Sequence, residues 1–124
     1  MTNLHISDVR PFIPAQDFAV SKAFYEALGW TIGWSDETLA LMENGGHSFY
    51  LQPYYVKDWA ENTMLHLTVQ DARACYAQIK PAIDSGLYPG ARVAEPRPEP
   101  YGALVTYVWD PSGVLLHLAQ WTRG

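Results

Sequence analysis

The sequence contains the same succession of elements twice, and this internal repeat constrains the fold more than any other feature. Asp17 and Asp71 each precede a run of residues with helical spacing, and the two aspartates lie 54 positions apart. Around each of them, the alternation of polar and apolar residues predicts a strand, a helix and three further strands. A duplication of this length predicts two similar modules that share one core.

Short patterns predict the individual elements. Asp17 is predicted to cap the first helix, which ends before Gly29. Asp71 is predicted to cap the second helix, which Pro81 bends or ends. The segment 84–101 is rich in Pro and Gly and is predicted to hold one irregular strand. The remaining strands are predicted, in chain order, over 8–15, 30–35, 38–43, 47–52, 64–69, 103–110 and 114–121.

The composition excludes several classes of protein. With 48% hydrophobic and 17% charged residues, the chain is expected to fold. A net charge of −5 argues against a nucleic-acid partner, and no apolar run approaches the ~20 residues that span a bilayer. Cys75 is the single cysteine, so no internal disulfide forms and core filling is the expected role. MTNLHISDVR lacks the pattern of a signal peptide, so we expect a cytoplasmic protein.

Particular runs in both halves resemble the vicinal oxygen chelate superfamily. This superfamily contains glyoxalase I, extradiol dioxygenases, fosfomycin-resistance enzymes and bleomycin-resistance proteins. The runs are Asp17 with SKAFYEALGW, DPSG followed by VLLHL, and MLHLTVQDARACYAQI, and the likeness covers essentially the whole chain. The resemblance implies an α+β fold with two tandem βαβββ modules, about 5–56 and 62–122, in one domain spanning 1–124. Their curved mixed sheets would surround a cavity, in a homodimer whose modules pair within or between chains.

The enzymes of the superfamily hold a divalent metal ion at four positions. The corresponding residues here are Arg10, Gln52, Met64 and His117. A protonated guanidinium cannot ligate a metal, and a thioether is poorly matched to Mg, Mn or Zn. A catalytic site needs about three good protein ligands, so we expect no cofactor. His66 lies on the same strand face as Met64, so His66, His117 and Gln52 remain an alternative site for one divalent ion.

Three residues have more than one predicted role. His66 and His117 each lie between leucines in an apolar strand. Each is a core histidine with satisfied hydrogen bonds, part of a pocket wall, or a metal ligand. Arg10 is predicted on an inner strand, where a buried guanidinium needs a partner. That partner is an internal carboxylate or an anionic group of a ligand.

The sequence holds more aromatic rings than a small core can hide, with five Trp, eight Tyr and four Phe. Flat rings stack on heterocycles and cations with little loss of conformational entropy. We therefore predict an aromatic groove. Its walls are predicted to be Trp34, Tyr50, Trp59, Tyr101 and Trp109, and its polar floor Arg10, Gln52, His66 and His117.

These features favour a binding protein over an enzyme. The expected function is metal-independent sequestration of a flat, aromatic or cationic, antibiotic-like small molecule, as in bleomycin resistance. Two alternatives remain open. One is a metal-dependent lyase, isomerase or dioxygenase with a rearranged ligand set. The other is an enzyme without metal that uses His117 or His66 as its general base.

Overall fold

The fold consists of two mixed sheets and three helices. A computed structural model of the chain describes residues 2–122. Its elements are β1 (Phe12–Pro14), α1 (Phe18–Ala27), β2 (Thr31–Ser35), β3 (Ala40–Asn44), β4 (His47–Gln52), α2 (Lys57–Glu61), β5 (Met64–Thr68), α3 (Ala72–Asp84), β6 (Arg92–Val93), β7 (Arg97–Glu99), β8 (Ala103–Trp109) and β9 (Leu115–Trp121). Within the described residues, no helix is long and apolar enough to cross a membrane.

The two sheets have the same topology. The first has the strand order β1-β4-β3-β2, and the second has the order β5-β9-β8-β6 with β7 also paired to β8. In each sheet the first strand runs parallel to the last one, while the other pairs are antiparallel. Neither sheet closes into a barrel within residues 2–122. The predicted α+β class with mixed sheets is therefore confirmed.

Both long helices begin at the predicted aspartates. The N–H of Val20 donates to Asp17 Oδ1 at 3.2 Å, and the N–H of Ala74 donates to Asp71 Oδ1 at 3.0 Å. These bonds satisfy backbone donors that have no partner inside the helix. Gly29 follows the end of α1 with φ 97°, a backbone conformation that favours glycine. Both predicted caps are confirmed.

The predicted end of the helix at Pro81 is wrong, because α3 continues through this residue to Asp84, and a bend there stays a prediction. Proline removes the hydrogen bond to the carbonyl of residue 77, but Ala77 is exposed, so water can reach that carbonyl. The segment 84–101 forms two short strands instead of one, since its prolines interrupt the ladder with β8. The short helix α2 lies in a connector where no element was predicted.

One core joins the two modules. It includes Ile13 and Leu51 from the first sheet, Leu116 and Leu118 from the second, and Tyr25 from α1. Side chains alternate along each strand, so the residues between these positions point away from the core. Each sheet consequently has an open face that is not covered by the helices.

A buried hydrogen-bond network links α1 to the turn between β8 and β9. The hydroxyl of Tyr25 donates to Asp110 Oδ2 at 2.7 Å. The N–H groups of Ser112 and Val114 donate to Asp110 Oδ1 at 2.8 and 3.0 Å. Burial raises the pKa of the Asp110 carboxyl, although these hydrogen bonds oppose the shift. Burial also raises the pKa of Tyr25 well above its ordinary value, and Asp110 adds to this effect.

Candidate functional site

The open face of the second sheet carries a row of three rings. The parallel ladder between β5 and β9 pairs His66 with His117, and the antiparallel ladder between β9 and β8 pairs His117 with Tyr107. The two imidazole centroids are 6.0 Å apart with an interplanar angle of 29°. The Tyr107 ring packs edge-on at 5.1 Å from His117. Strand register therefore places both predicted histidines side by side, away from the core.

Two further rings extend this row. The indole of Trp121 lies 5.6 Å from the His66 ring, and Tyr101 lies 5.8 Å from Trp121. Trp121 Nε1–H donates to Thr68 Oγ1 at 3.2 Å, which orients an indole that is still 48% exposed. We call the residues Met64, His66, Tyr101, Tyr107, His117 and Trp121 the second open face. Their rings form a continuous aromatic surface on which a flat molecule can stack.

Small side chains form the floor between these rings. Ala103, Val105 and Ala119 lie on the same side of the sheet and are buried, with Tyr107 packed against them. These small residues are almost completely covered, so the surface that a ligand can contact consists of the surrounding rings.

The charges around the row set its protonation state. Burial lowers the pKa of His117, nearby His66 lowers it further, and Glu99 opposes both effects. Arg97 Nε donates to Glu99 Oε1 at 2.8 Å, and this bond is the main reason that the pKa of Glu99 is lowered. Burial raises the pKa of Tyr107, with Glu99 and Tyr101 adding to the shift. His117 is therefore a neutral imidazole at neutral pH, able both to donate and to accept a hydrogen bond.

The first sheet carries a smaller ring cluster on its open face. Phe12 stacks on Tyr50 with centroids 5.2 Å apart, and Trp34 lies 6.3 Å from Tyr50. Arg10 donates to the Tyr50 hydroxyl at 2.9 Å and to Asp8 Oδ2 at 2.7 Å. We call Arg10, Phe12, Trp34 and Tyr50 the first open face. Arg10 is exposed, so its predicted burial is wrong, and the partner it finds is the internal carboxylate.

The predicted alternative ligands of a divalent ion lie on two different sheets. Gln52 belongs to the first sheet, whereas His66 and His117 belong to the second. Within residues 2–122, no group of three His, Cys, Asp or Glu side chains stands close enough to hold a metal ion. Arg10 is a hydrogen-bond donor, and Met64 is a soft ligand. The residues at the four superfamily positions therefore do not fit a divalent metal ion.

Two predicted groove residues lie apart from the row. Trp59 belongs to α2, and its ring lies 6.0 Å from that of Tyr54 and pairs with no ring of either open face among the described residues. Trp109 shares the strand face of Tyr107 but sits near the end of β8, where the Arg92 guanidinium lies 4.1 Å from its ring centroid. The prediction from sequence omitted Phe12, Met64, Glu99, Tyr107 and Trp121. Strand alternation indicates the face of Tyr107 and Trp121, but only the ladder register places them beside the histidines.

A cavity of about 660 Å³ lies between the end of α1 and the edge strand β5. Leu28, Trp30, Ile79 and Cys75 form part of its lining, together with His66 at its border with the second open face. Its volume falls in the range of small-molecule sites. Burial raises the pKa of the Cys75 thiol, and Asp71 adds to the shift. A protonated thiol packed against the core agrees with the predicted role as core filling.

Comparison with known proteins places the chain by its fold. No protein-family model matches the sequence. No curated protein matches it by sequence either. Solved structures match it over most of their length, and three of them are described next.

A bleomycin resistance determinant encoded on transposon Tn5 is 28% identical, with a TM-score of 0.76 over 93% of this chain and 98% of that one. A bleomycin-binding protein in complex with bleomycin is 25% identical, with a TM-score of 0.73 over the same shares. A glyoxalase/bleomycin resistance protein/dioxygenase from Nocardioides is 16% identical, with a TM-score of 0.75 over 98% and 88% of the two chains, and it supports the fold alone. The chain therefore has the vicinal oxygen chelate fold, and its resemblance to the bleomycin-resistance branch of that superfamily is confirmed.

Proposed function

We propose that this protein binds and sequesters a flat, aromatic or cationic, antibiotic-like small molecule without needing a metal ion. The observation that carries the proposal is the exposed row of rings from Tyr101 through Trp121, His66 and His117 to Tyr107. Rings exposed in one contiguous patch cost solvation free energy, so such patches are typical of binding surfaces. Similarity to bleomycin-binding proteins over 93% of the chain supports the same function.

The electrostatics of the second open face suit a ligand with a positive charge. The face of Trp121 attracts cations through the ring quadrupole, whereas the Tyr107 ring already has the Arg97 guanidinium 5.2 Å from its centroid. The carboxylate of Glu99 is paired with Arg97, so these two side chains together add no net charge to the face. His117 stays neutral at neutral pH and adds no opposing charge. A net charge of −5 acts in the same direction over a longer range.

We also propose that the protein acts as a homodimer in the cytoplasm. Each chain exposes two aromatic faces, and Leu4, Ile6 and Val9 of the N-terminal segment are exposed as well. Pairing the first open face of one copy with the second open face of another would bury part of this surface and enclose the ligand in a groove. A mass of twice 13.9 kDa by light scattering is the expected result, and a monomer at all concentrations would contradict this part of the proposal.

The alternative of a metal-dependent lyase, isomerase or dioxygenase has less support. It requires about three good protein ligands for a divalent ion. Arg10 cannot ligate and Met64 is a soft ligand, which leaves only Gln52 and His117 of the four superfamily positions. The donor set therefore favours binding over Lewis-acid catalysis.

Tryptophan fluorescence provides the test. Chelator-treated protein is titrated with bleomycin-type glycopeptides and other aromatic antibiotics, and at least one compound should quench the emission at saturating occupancy. Trp121→Leu should lower the affinity for that compound about tenfold, since an aromatic stacking contact contributes about 0.5–1.5 kcal/mol in addition to the free energy of burying the ring surface. Trp59→Phe is the matched control because Trp59 lies on neither open face, and it should leave the affinity unchanged. If no compound in the panel binds, or if both variants bind alike, the proposed site is wrong.

A further inference from the structure

The second open face brings a thioether against an imidazole nitrogen. Met64 Sδ lies 3.3 Å from His117 Nε2, and the Met64 side chain is 61% exposed although burial would stabilise it. A metal ion bound to both atoms would have bonds of about 2.3 Å to sulfur and 2.0–2.1 Å to nitrogen. With an S–metal–N angle of roughly 100°, these bonds place the sulfur and the nitrogen 3.3 Å apart, as observed. A metal ion can therefore bind both side chains without a change in the backbone.

His66 supplies a third donor from the neighbouring strand. The ladder pairs it directly with His117, and adjacent strands are about 4.8 Å apart. Its ring is 6.0 Å from the His117 ring, and its side chain is exposed, so a His66 nitrogen would have to turn toward the Met64–His117 pair when an ion binds. The three side chains would then form one N₂S set on β5 and β9.

The chemistry of these donors selects the metal. Thioether sulfur is a soft ligand that favours monovalent copper over Mg, Mn or Zn, and imidazole binds copper well. The nearest carboxylate, Glu99, already accepts a hydrogen bond from Arg97 at 2.8 Å, so it is engaged elsewhere. We propose that Met64, His66 and His117 bind one monovalent copper ion.

This site shares Met64 and His117 with the four metal positions of the superfamily, but it takes His66 in place of Arg10 and Gln52 and selects a soft, monovalent ion. It also does not rest on the proposed sequestering function, because copper binding requires no organic ligand. Trp121 and Tyr107 flank the two imidazoles at 5.6 and 5.1 Å. Their π faces favour a nearby cation, and a copper ion at this distance quenches the emission of Trp121.

The test is an anaerobic titration of the full-length, chelator-treated protein with Cu(I) in competition with the chromophoric chelator bicinchoninate. One copper ion per chain is expected. Met64→Leu should lower the affinity at least tenfold. The double variant His66→Phe with His117→Tyr should lower the Cu(I) affinity at least a hundredfold. Its new side chains are those of Phe12 and Tyr50, which the first sheet carries at the equivalent positions.

Two controls separate this site from other ligands and from misfolding. His5→Ala and His47→Ala remove the other histidines of the chain and should leave Cu(I) affinity unchanged. Circular dichroism should show that the double variant is folded, and X-ray absorption of the copper-loaded protein should show one sulfur ligand with nitrogen ligands. The proposal is overturned if bicinchoninate removes all copper from the wild-type protein. It is equally overturned if Met64→Leu binds Cu(I) as tightly as the wild type.

Discussion

The two sheets place the same ring geometry at the same position but build it from different side chains. In the first sheet, Phe12 pairs with Tyr50 across β1 and β4, and the stacked rings meet at 5.2 Å and 29°. In the second, His66 pairs with His117 across β5 and β9, and the rings meet at 6.0 Å and 29°. The repeat therefore fixes where two rings stack, while residue identity decides whether they can ionise or ligate.

The comparison extends to the residue two positions before the first ring in each sheet. Arg10 donates to the hydroxyl of Tyr50, and Met64 brings its sulfur to His117 Nε2. Arg10 and Met64 therefore occupy equivalent positions in the two modules, but Arg10 is a cation that contacts a phenol, whereas Met64 is a thioether that contacts an imidazole. Fold resemblance alone does not assign the chemistry of either face, because that chemistry lies in the side chains.

The last hairpins of the two modules differ most in energetic terms. Asp110 accepts three hydrogen bonds in the second hairpin, including the one from Tyr25, whereas Gly45-Gly46 turns the first with no such network among the described residues. We expect Asp110→Ala to lower the free energy of unfolding by about 3–5 kcal/mol, since three donors lose their buried acceptor. Urea denaturation measures the loss.

The matched change in the first hairpin is Gly46→Ala. Gly46 has φ 85°, and no atom lies within 4 Å of an added Cβ, so only backbone strain of about 1–2 kcal/mol is expected. Asp110→Asn keeps one oxygen acceptor and should fall between the two. Equal losses for Asp110→Ala and Gly46→Ala would show that the buried network does not distinguish the hairpins.

The sequence predicted the elements better than the contacts. Asp17 and Asp71 mark helix starts because the cap is a local interaction, and local patterns are visible in sequence. Counting along the sequence gives Gln52 as the first-module equivalent of His117. The strand register instead gives Tyr50, because Tyr50 pairs with Phe12 on β1 just as His117 pairs with His66 on β5. Register depends on long-range pairing, so spacing along one strand cannot reveal it.

The remaining misses have a similar origin. The pattern around Arg10 predicts an inner strand, but β1 begins only at Phe12, which leaves the guanidinium exposed beside Asp8. Trp59 was grouped with the groove because of its ring; it lies on α2, where that ring pairs with Tyr54. Burial and position relative to another sheet follow from tertiary packing, which overrides residue type.

The two faces can be compared directly through their tryptophans. If a dimer places the first open face of one copy against the second of another, one ligand contacts both Trp34 and Trp121. Trp34→Leu and Trp121→Leu should then each weaken binding about tenfold, which corresponds to about 1.4 kcal/mol. Isothermal titration calorimetry with a compound that quenches the wild type measures both. A loss confined to Trp121→Leu would restrict the ligand to the second sheet.

His117 makes the second open face sensitive to pH. Burial and His66 lower the folded-state pKa of His117 below its ordinary value near 6.5, so the unfolded chain takes up this proton first. Stability from His117 is therefore present above pH 6.5 and is lost as the pH falls through the folded-state value. Urea midpoints of the metal-free protein at about pH 8 and about pH 5.5 should show a loss that His66→Phe with His117→Tyr reduces. An identical pH dependence in both proteins would contradict the shift.

The two long helices carry different side chains at an equivalent position, which is fully buried in α1 and partly buried in α3. Ser21 on α1 and Cys75 on α3 lie 54 positions apart, like the capping aspartates. The hydroxyl of Ser21 is fully buried with no hydrogen-bond partner among the described residues, whereas Cys75 packs its thiol against the core. A buried hydroxyl without a partner costs desolvation free energy, and serine is a weaker helix former than alanine.

The smallest expected effect follows from this difference between the helices. Ser21→Ala should raise the free energy of unfolding by about 0.5–1 kcal/mol in urea denaturation. Cys75→Ser introduces the same polar group at the matching position of α3 and should lower it by a similar amount, because the hydroxyl replaces a thiol that tolerates apolar surroundings. If Ser21→Ala destabilises the protein, the hydroxyl has a partner, and the two helices then differ in a hydrogen bond as well as in polarity.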